Sequence, residues 1–182
     1  MTTQILGVSE ASLRLAKQLI SEGEVVAFHT ETVYGLGADA RSDEAVRHIF
    51  ELKGRPQNNP LIAHVHRDFD ISSLVDDIPA YAKKLAKAFL PGPLTMVYPS
   101  TGKVSPLVSC GLKTLAVRVP SSPTAQAFLR AVDVPIAAPS ANVSKHISPV
   151  TARHVFEDFE GHIPLILDGG RCEGGIESTV LD

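Results

Sequence analysis

The sequence is poor in the features that would place it in several large protein classes. It has two cysteines, Cys110 and Cys172, and no C-x-x-C pair. That spacing excludes a zinc ribbon, and two isolated thiols fit a reducing compartment. The longest apolar stretches, such as Val134 to Pro139, fall far short of a membrane span. Met1 to Gly7 lacks the basic segment and apolar core of a secretory signal, so the expected location is the cytoplasm. Positive charge is not in excess: 17 Lys and Arg stand against 20 Asp and Glu, a net charge of −3. Binding of nucleic acid would therefore need a local patch. No repeat, low-complexity tract or linker divides the chain.

Several catalytic signatures are missing as well. There is no G-x-x-x-x-G-K-[ST] phosphate loop, and Gly35 and Gly37 form a G-x-G without the third glycine of a dinucleotide site. The G-x-S-x-G nucleophile elbow is absent. His64 and His66 alternate on one strand face, but no further ligand is adjacent, so an ordinary half-buried strand is preferred over a metal pair.

What is present is a chain of 182 residues, 44% hydrophobic and 20% charged. At about 150 residues per domain this is one domain, and it needs no disulfide or metal to bury a core. The first 23 residues read as a helix with Ser9 as N-cap and Gly23 as stop. Glu24 to Phe28 reads as a strand. Ser42 caps a helix with Asp43 and Glu44 in its first turn and Gly54 at its end. Leu61 to Val65, Leu94 to Tyr98, Leu115 to Val119, Pro135 to Ala138, Leu165 to Asp168 and Thr179 to Leu181 read as strands. Helices are expected from Pro79 to about Phe89, from Pro123 to Val132, and from a Ser148-Pro149 start to about Phe159. Helices and strands alternate without strict βαβ regularity, which predicts one α/β domain with a twisted, mixed sheet.

The 13 glycines and 13 prolines frame four polar segments. The first runs from His29 to Gly37 and places hydroxyls and a carboxylate after a strand, where α/β sheets gather ligands. It reads equally as a Thr-rich turn. The second runs from Lys53 to Pro60. Lys53 alone reads as a helix-end cation, but Arg55 on a proline-stiffened loop suits a phosphate, and Asn58 and Asn59 add amides. The third runs from Pro139 to Pro149. Ser144 reads as a turn residue, while Ser140 and Ser148 stand between turn chemistry and a phosphate site at a helix start. The fourth, Gly169 to Val180, has four glycines in seven residues and reads as a mobile or tightly turned connection. Arg118, inside a strand, needs an anion, either a ligand or an internal salt bridge.

Taken in order, these segments resemble the YrdC-like threonylcarbamoyl-AMP synthase family. The matching text is Thr30-Glu31-Thr32-Val33-Tyr34-Gly35-Leu36-Gly37, Lys53-Gly54-Arg55-Pro56 with Asn58-Asn59-Pro60-Leu61, and Pro91-Gly92-Pro93-Leu94-Thr95. It continues with Val117-Arg118-Val119-Pro120, Pro139-Ser140-Ala141-Asn142 and Glu177-Ser178-Thr179-Val180. The resemblance implies a single YrdC-like domain over 1–182 with a large concave, positively charged cavity. It implies a nucleotidyltransferase that forms L-threonylcarbamoyladenylate and pyrophosphate from L-threonine, bicarbonate or CO2, and ATP with Mg2+. A partner transferase would pass the group to tRNA. By position, Thr32, His64, Arg118, Ala138 and Ser178 would hold threonine. Arg55, Asn59, Thr114, Ser140 and Ser148 would hold ATP, and Lys53 would join Arg55 as a catalytic cation near the phosphates. No metal-ligating residue is assigned.

Two departures stand out. His29 occupies a position where the family usually has proline, and the family's last nucleotide-binding segment has no counterpart before Asp182. Two rival readings share the sequence features. One is a double-stranded RNA or tRNA-binding module using Lys53, Arg55, Lys113, Arg118 and Lys145. The other is a carbamoyl-transfer domain of a larger maturation enzyme.

Overall fold

A computed structural model describes residues 1–182. Nine strands form one sheet: β1 (Gln4–Gly7), β2 (Val26–Phe28), β3 (Gly35–Asp39), β4 (Ile62–His64), β5 (Leu94–Pro99), β6 (Thr114–Arg118), β7 (Ile136–Ala137), β8 (Leu165–Asp168) and β9 (Thr179–Leu181). Their order is β1-β8-β2-β3-β7-β4-β6-β5-β9. The sheet is mixed, as the irregular alternation predicts. β1/β8, β2/β8, β4/β6 and β5/β9 are parallel, and β2/β3, β3/β7, β4/β7 and β5/β6 are antiparallel. Five helices accompany it: α1 (Glu10–Ser21), α2 (Asp43–Lys53), α3 (Ala80–Phe89), α4 (Pro123–Val132) and α5 (Ala152–Phe159). No helix is long and apolar enough to cross a membrane.

The period-2 geometry of the strands divides the core in two. Val26, Phe28, Leu165 and Leu167 point toward α1 and α4 and pack with Ala16, Ile20, Phe128 and Leu129. Ala27 and Ile166 point the other way, toward Ile49 and Phe50 of α2 and Val155 and Phe159 of α5. Each fully buried Phe or Leu contributes about 1.5–3 kcal/mol to holding these layers together.

Three local readings change. The first 23 residues hold a strand before the helix: β1 adds to β8 in register from Gln4↔Leu165 to Gly7↔Asp168. Ser9 does cap α1, in a reciprocal pair with Ser12 (Ser12 N to Ser9 Oγ 3.1 Å, Ser9 N to Ser12 Oγ 2.8 Å). β3 begins inside the first polar segment, at Gly35, and lacks β-branched residues because it packs too closely for them at its glycines. A Cβ on Gly37 would lie 2.8 Å from Ile136 Cγ2 and 2.9 Å from Phe28 Cε1. Finally, Ser148 is not a helix cap. Tyr34 N donates to Pro149 O (2.9 Å) and Cys172 N to Val150 O (2.8 Å), so this stretch is held from the side as extended chain. The helix α5 starts only after it, capped by Thr151, which accepts from His154 N at 3.2 Å.

Candidate active site

The middle of the sheet, where β3, β7, β4 and β6 run side by side, carries a chamber of about 110 Å³. The resemblance implies a large cavity. The chamber volume is smaller than the roughly 300–1,000 Å³ of drug-sized pockets. It suits a small amino acid, and a larger ligand must extend through the mouth.

Arg118 ends β6 and is buried, opposite His64 in the β4/β6 register. Its Nη1 donates to Thr32 Oγ1 at 3.0 Å, its Nε to Gly92 O at 3.3 Å, and its Nη2 to the Glu31 carboxylate. The other Glu31 oxygen accepts from Ser121 N and Ser121 Oγ, both at 2.7 Å. Burial lowers the guanidinium's pKa and Glu31 partly restores it, but an arginine remains charged. Arg118 has an internal carboxylate partner and also forms part of the chamber wall. Of its five N–H groups three have protein acceptors, which leaves two for a ligand.

His64 is the last residue of β4. Burial, and then the nearby Arg118 charge, push its pKa down to about 3, so the ring is neutral at physiological pH. Its Nδ1–H donates to Ile62 O at 3.0 Å. His66 turns elsewhere, to Asp133 at 2.8 Å, so the H-x-H pair does not converge on one ion.

Across the chamber, Arg55 follows the left-handed Gly54 that ends α2. Its Nε donates to Asn59 O at 3.1 Å and its Nη2 to Pro60 O at 2.9 Å, so the proline loop curls around the guanidinium. Burial lowers its pKa, and Glu177 opposes that shift. Ala138 and Ser140 leave β7 along the wall, and Ser140 bridges to Gly35. Ser178 reaches the wall beside β5, its hydroxyl 2.7 Å from Thr95 Oγ1.

The structure thus brings together Thr32, Arg55, His64, Arg118, Ala138, Ser140 and Ser178. Asn59, Thr114, Ser148 and Lys53 are not on the chamber wall. Asn59 serves Arg55 through its carbonyl, with its residue exposed. Thr114 begins β6, four residues from Arg118 and so about 13 Å away along the strand. Ser148 is half-buried in the laterally held stretch. Lys53 is buried behind the wall, its ammonium on the carbonyls of Ser140 and Asn142.

Sequence reasoning missed two carboxylates and a strap. Glu31 anchors Arg118, and a buried strand arginine was the signal that such a partner exists nearby. Glu177 is the one carboxylate on the chamber wall. The glycine-rich fourth segment is strapped down by Gly174 N to Glu31 O (3.0 Å) and Gly175 N to Thr32 O (2.9 Å). A Cβ on Gly174 would lie 2.9 Å from Glu31 O, so glycine is what permits the approach. Tyr34 adds a second tie through its hydroxyl, which donates to Gly170 O at 2.6 Å.

The Sua5/YciO/YrdC family model, with the description "Telomere recombination", matches residues 18–182. A threonylcarbamoyl-AMP synthase of Pyrococcus abyssi is 49% identical over 175 residues, which are 96% of this chain and 52% of that protein. The protein of the same name from Bacillus subtilis is 47% identical over 180 residues, 98% of this chain and 52% of its own length. The crystal structure of P. abyssi Sua5 complexed with L-threonine matches with a TM-score of 0.93 at 48% identity, over 100% of this chain and 53% of that one. The chain spans about half the length of the curated relatives it matches. The ordered motifs, the mixed sheet they build and the extent of these matches agree that the chain belongs to the Sua5/YciO/YrdC family.

Proposed function

We propose that this chain forms L-threonylcarbamoyladenylate and pyrophosphate from L-threonine, bicarbonate or CO2, and ATP, for the threonylcarbamoyl modification of tRNA adenosine. The observation that carries the reading is the Arg118 site. It is a buried guanidinium with two uncommitted N–H groups beside the Thr32 hydroxyl, in a chamber of about 110 Å³. Such a site suits the carboxylate and hydroxyl of a small amino acid. The printed names of the relatives, and the threonine complex of one of them, support threonine as that amino acid.

The absence of a nucleophile elbow fits this chemistry, because no covalent enzyme intermediate is needed. The neutral amine of threonine attacks CO2, a C–N bond forms and a proton leaves, giving a carbamate. A carbamate oxygen then attacks the α-phosphorus. The new O–P bond forms as the bond to the β-phosphate oxygen breaks, and pyrophosphate leaves. The protein's part is alignment, which can supply roughly 7–11 kcal/mol, and fixed positive charge. In this scheme Arg118 holds the carboxylate and Thr32, His64 and Ser178 surround the amino acid. Arg55 and Ser140 meet the nucleotide where it enters the mouth, and Asn59, Thr114 and Ser148 would contact the portion outside. In this scheme Mg2+ enters with ATP as part of the substrate MgATP, and Glu177 is the wall carboxylate that would meet it.

The product is a mixed anhydride, and a transferase acting on tRNA would consume it. The test is pyrophosphate release from ATP that requires both threonine and bicarbonate. Dependence on carbamoyl phosphate instead, or RNA binding with no turnover, would replace this reading with one of its rivals.

A further inference from the structure

Lys53 shares a short motif with Arg55, and a lysine there suggests a second phosphate ligand. Its surroundings argue against that. The residue is 2% exposed. Its Nζ lies 2.6 Å from Ser140 O, 2.6 Å from Asn142 O and 3.4 Å from Asn142 Oδ1. An ammonium has three N–H groups, and here each has a protein acceptor. None of the chain's ion pairs includes Lys53.

The acceptors belong to one turn. The Lys53 carbonyl also accepts from Ser144 N at 2.9 Å. Asn142 Nδ2 donates to His146 O at 2.9 Å, and Asp158 accepts from Val143 N at 2.8 Å. Lys53 therefore stands at the centre of a clamp on residues 140–146, and the first of these, Ser140, is on the chamber wall.

We propose that Lys53 is a positioning residue whose ammonium shapes the Ser140–His146 turn and so sets Ser140 against the ligand, without itself touching phosphate. The role of Ser140 rests on the nucleotide reading above; the clamp does not.

The closed clamp should gain stability as pH rises. Burial and then Arg55 lower the Lys53 pKa to about 8, while Glu177 and Asp158 act to raise it. Opening the turn to water returns Lys53 toward its ordinary pKa, so above about pH 8 the closed turn is favoured further, and the neutral amine keeps two N–H groups for the same acceptors.

Two measurements test the proposal. The first is hydrogen exchange of the Ala141 and Val143 amides, corrected for intrinsic base catalysis. Lys53→Met should speed it about tenfold while α4 amides are unchanged, the scale expected for losing hydrogen bonds to a buried turn. In the wild-type chain it should fall between pH 7 and 9. Lys53→Arg, which stays charged, should abolish that fall and serves if the methionine variant does not fold. Unchanged exchange in Lys53→Met, or a fall retained in Lys53→Arg, would overturn the clamp. The second is calorimetric affinity for ATP and AMP. Lys53→Met should weaken both about equally, and combining it with Ser140→Ala should be no worse than the weaker single variant. A loss confined to ATP would make Lys53 a phosphate ligand, and additive losses would overturn its action through Ser140. A wild-type chain that binds neither nucleotide would sink the nucleotide reading, and exchange alone would then decide the clamp.

Discussion

Arg118 and Lys53 are both buried cations within one domain, and they are held in opposite ways. Arg118 faces a carboxylate, Glu31, and has N–H groups to spare. Lys53 faces neutral carbonyls and has none to spare. The difference separates two tasks. A guanidinium paired with a carboxylate on one edge can keep its charge when buried and still bind an anion with the other. An ammonium enclosed by carbonyls is fully coordinated by its own chain, and it organises backbone.

Removing Arg118 should break this comparison most severely. Arg118→Ala leaves Glu31 without its partner and removes the anion donor. Truncating one member of a buried pair typically costs about 2–5 kcal/mol. The threonine KM should rise by about 100-fold or more, in keeping with that cost, while the ATP KM stays within about threefold. Comparable rises for both substrates would detach Arg118 from the amino acid.

The second prediction concerns pH and stability. Lys53 holds its proton up to a pKa of 10.5 when unfolded but only to about 8 when folded. Between those values the unfolded chain binds more protons, so this residue makes stability increase with pH, by roughly 3 kcal/mol across the window. Tyr34 and Cys172, whose pKa values burial raises, act in the opposite direction. The relevant quantity is therefore the difference between wild-type and Lys53→Met urea unfolding at pH 8 and at about pH 10. A difference that does not change with pH would show that Lys53 is not held as described. At the acid end His64, folded pKa about 3 against 6.5, should make stability fall as pH drops through that range.

Glu31→Gln sharpens the other side. The amide keeps an acceptor for Arg118 but loses the charge and one acceptor for Ser121. A charge-assisted hydrogen bond contributes about 1.5–3 kcal/mol, so kcat/KM for threonine should fall roughly 10- to 100-fold. An unchanged value would mean that Arg118 orients itself without Glu31.

Much of this was legible in the residues. The apolar strands and the capped α2 follow from periodicity and caps, and Arg118 and Arg55 stood out because a cation in a strand or on a stiff loop demands an anion. What was hidden depends on packing between distant segments. β3 reads as a turn because its glycines answer to Phe28 and Ile136, which lie elsewhere in sequence. Ser148 looks like a helix cap until the bonds from Tyr34 and Cys172 are seen. Lys53 looks like a helix-end cation, and only the fold brings the Ser140 and Asn142 carbonyls to it. Side-chain type marks what must be satisfied; long-range topology decides by whom.

A third cation supplies the smallest expected effect. Arg41 meets Asp39 with a bidentate geometry, Nε to Oδ1 at 3.0 Å and Nη2 to Oδ2 at 2.9 Å. In geometry alone it is a better pair than Arg118–Glu31, which engages one guanidinium nitrogen. Its side chain, however, is 54% exposed, so water competes for the guanidinium and salt screens the pair. Arg41→Ala should change unfolding free energy by no more than about 0.5 kcal/mol, with threonine and ATP kinetics unaffected. A loss comparable to that of Arg118→Ala would mean that geometry, and not burial, sets the worth of cations in this fold.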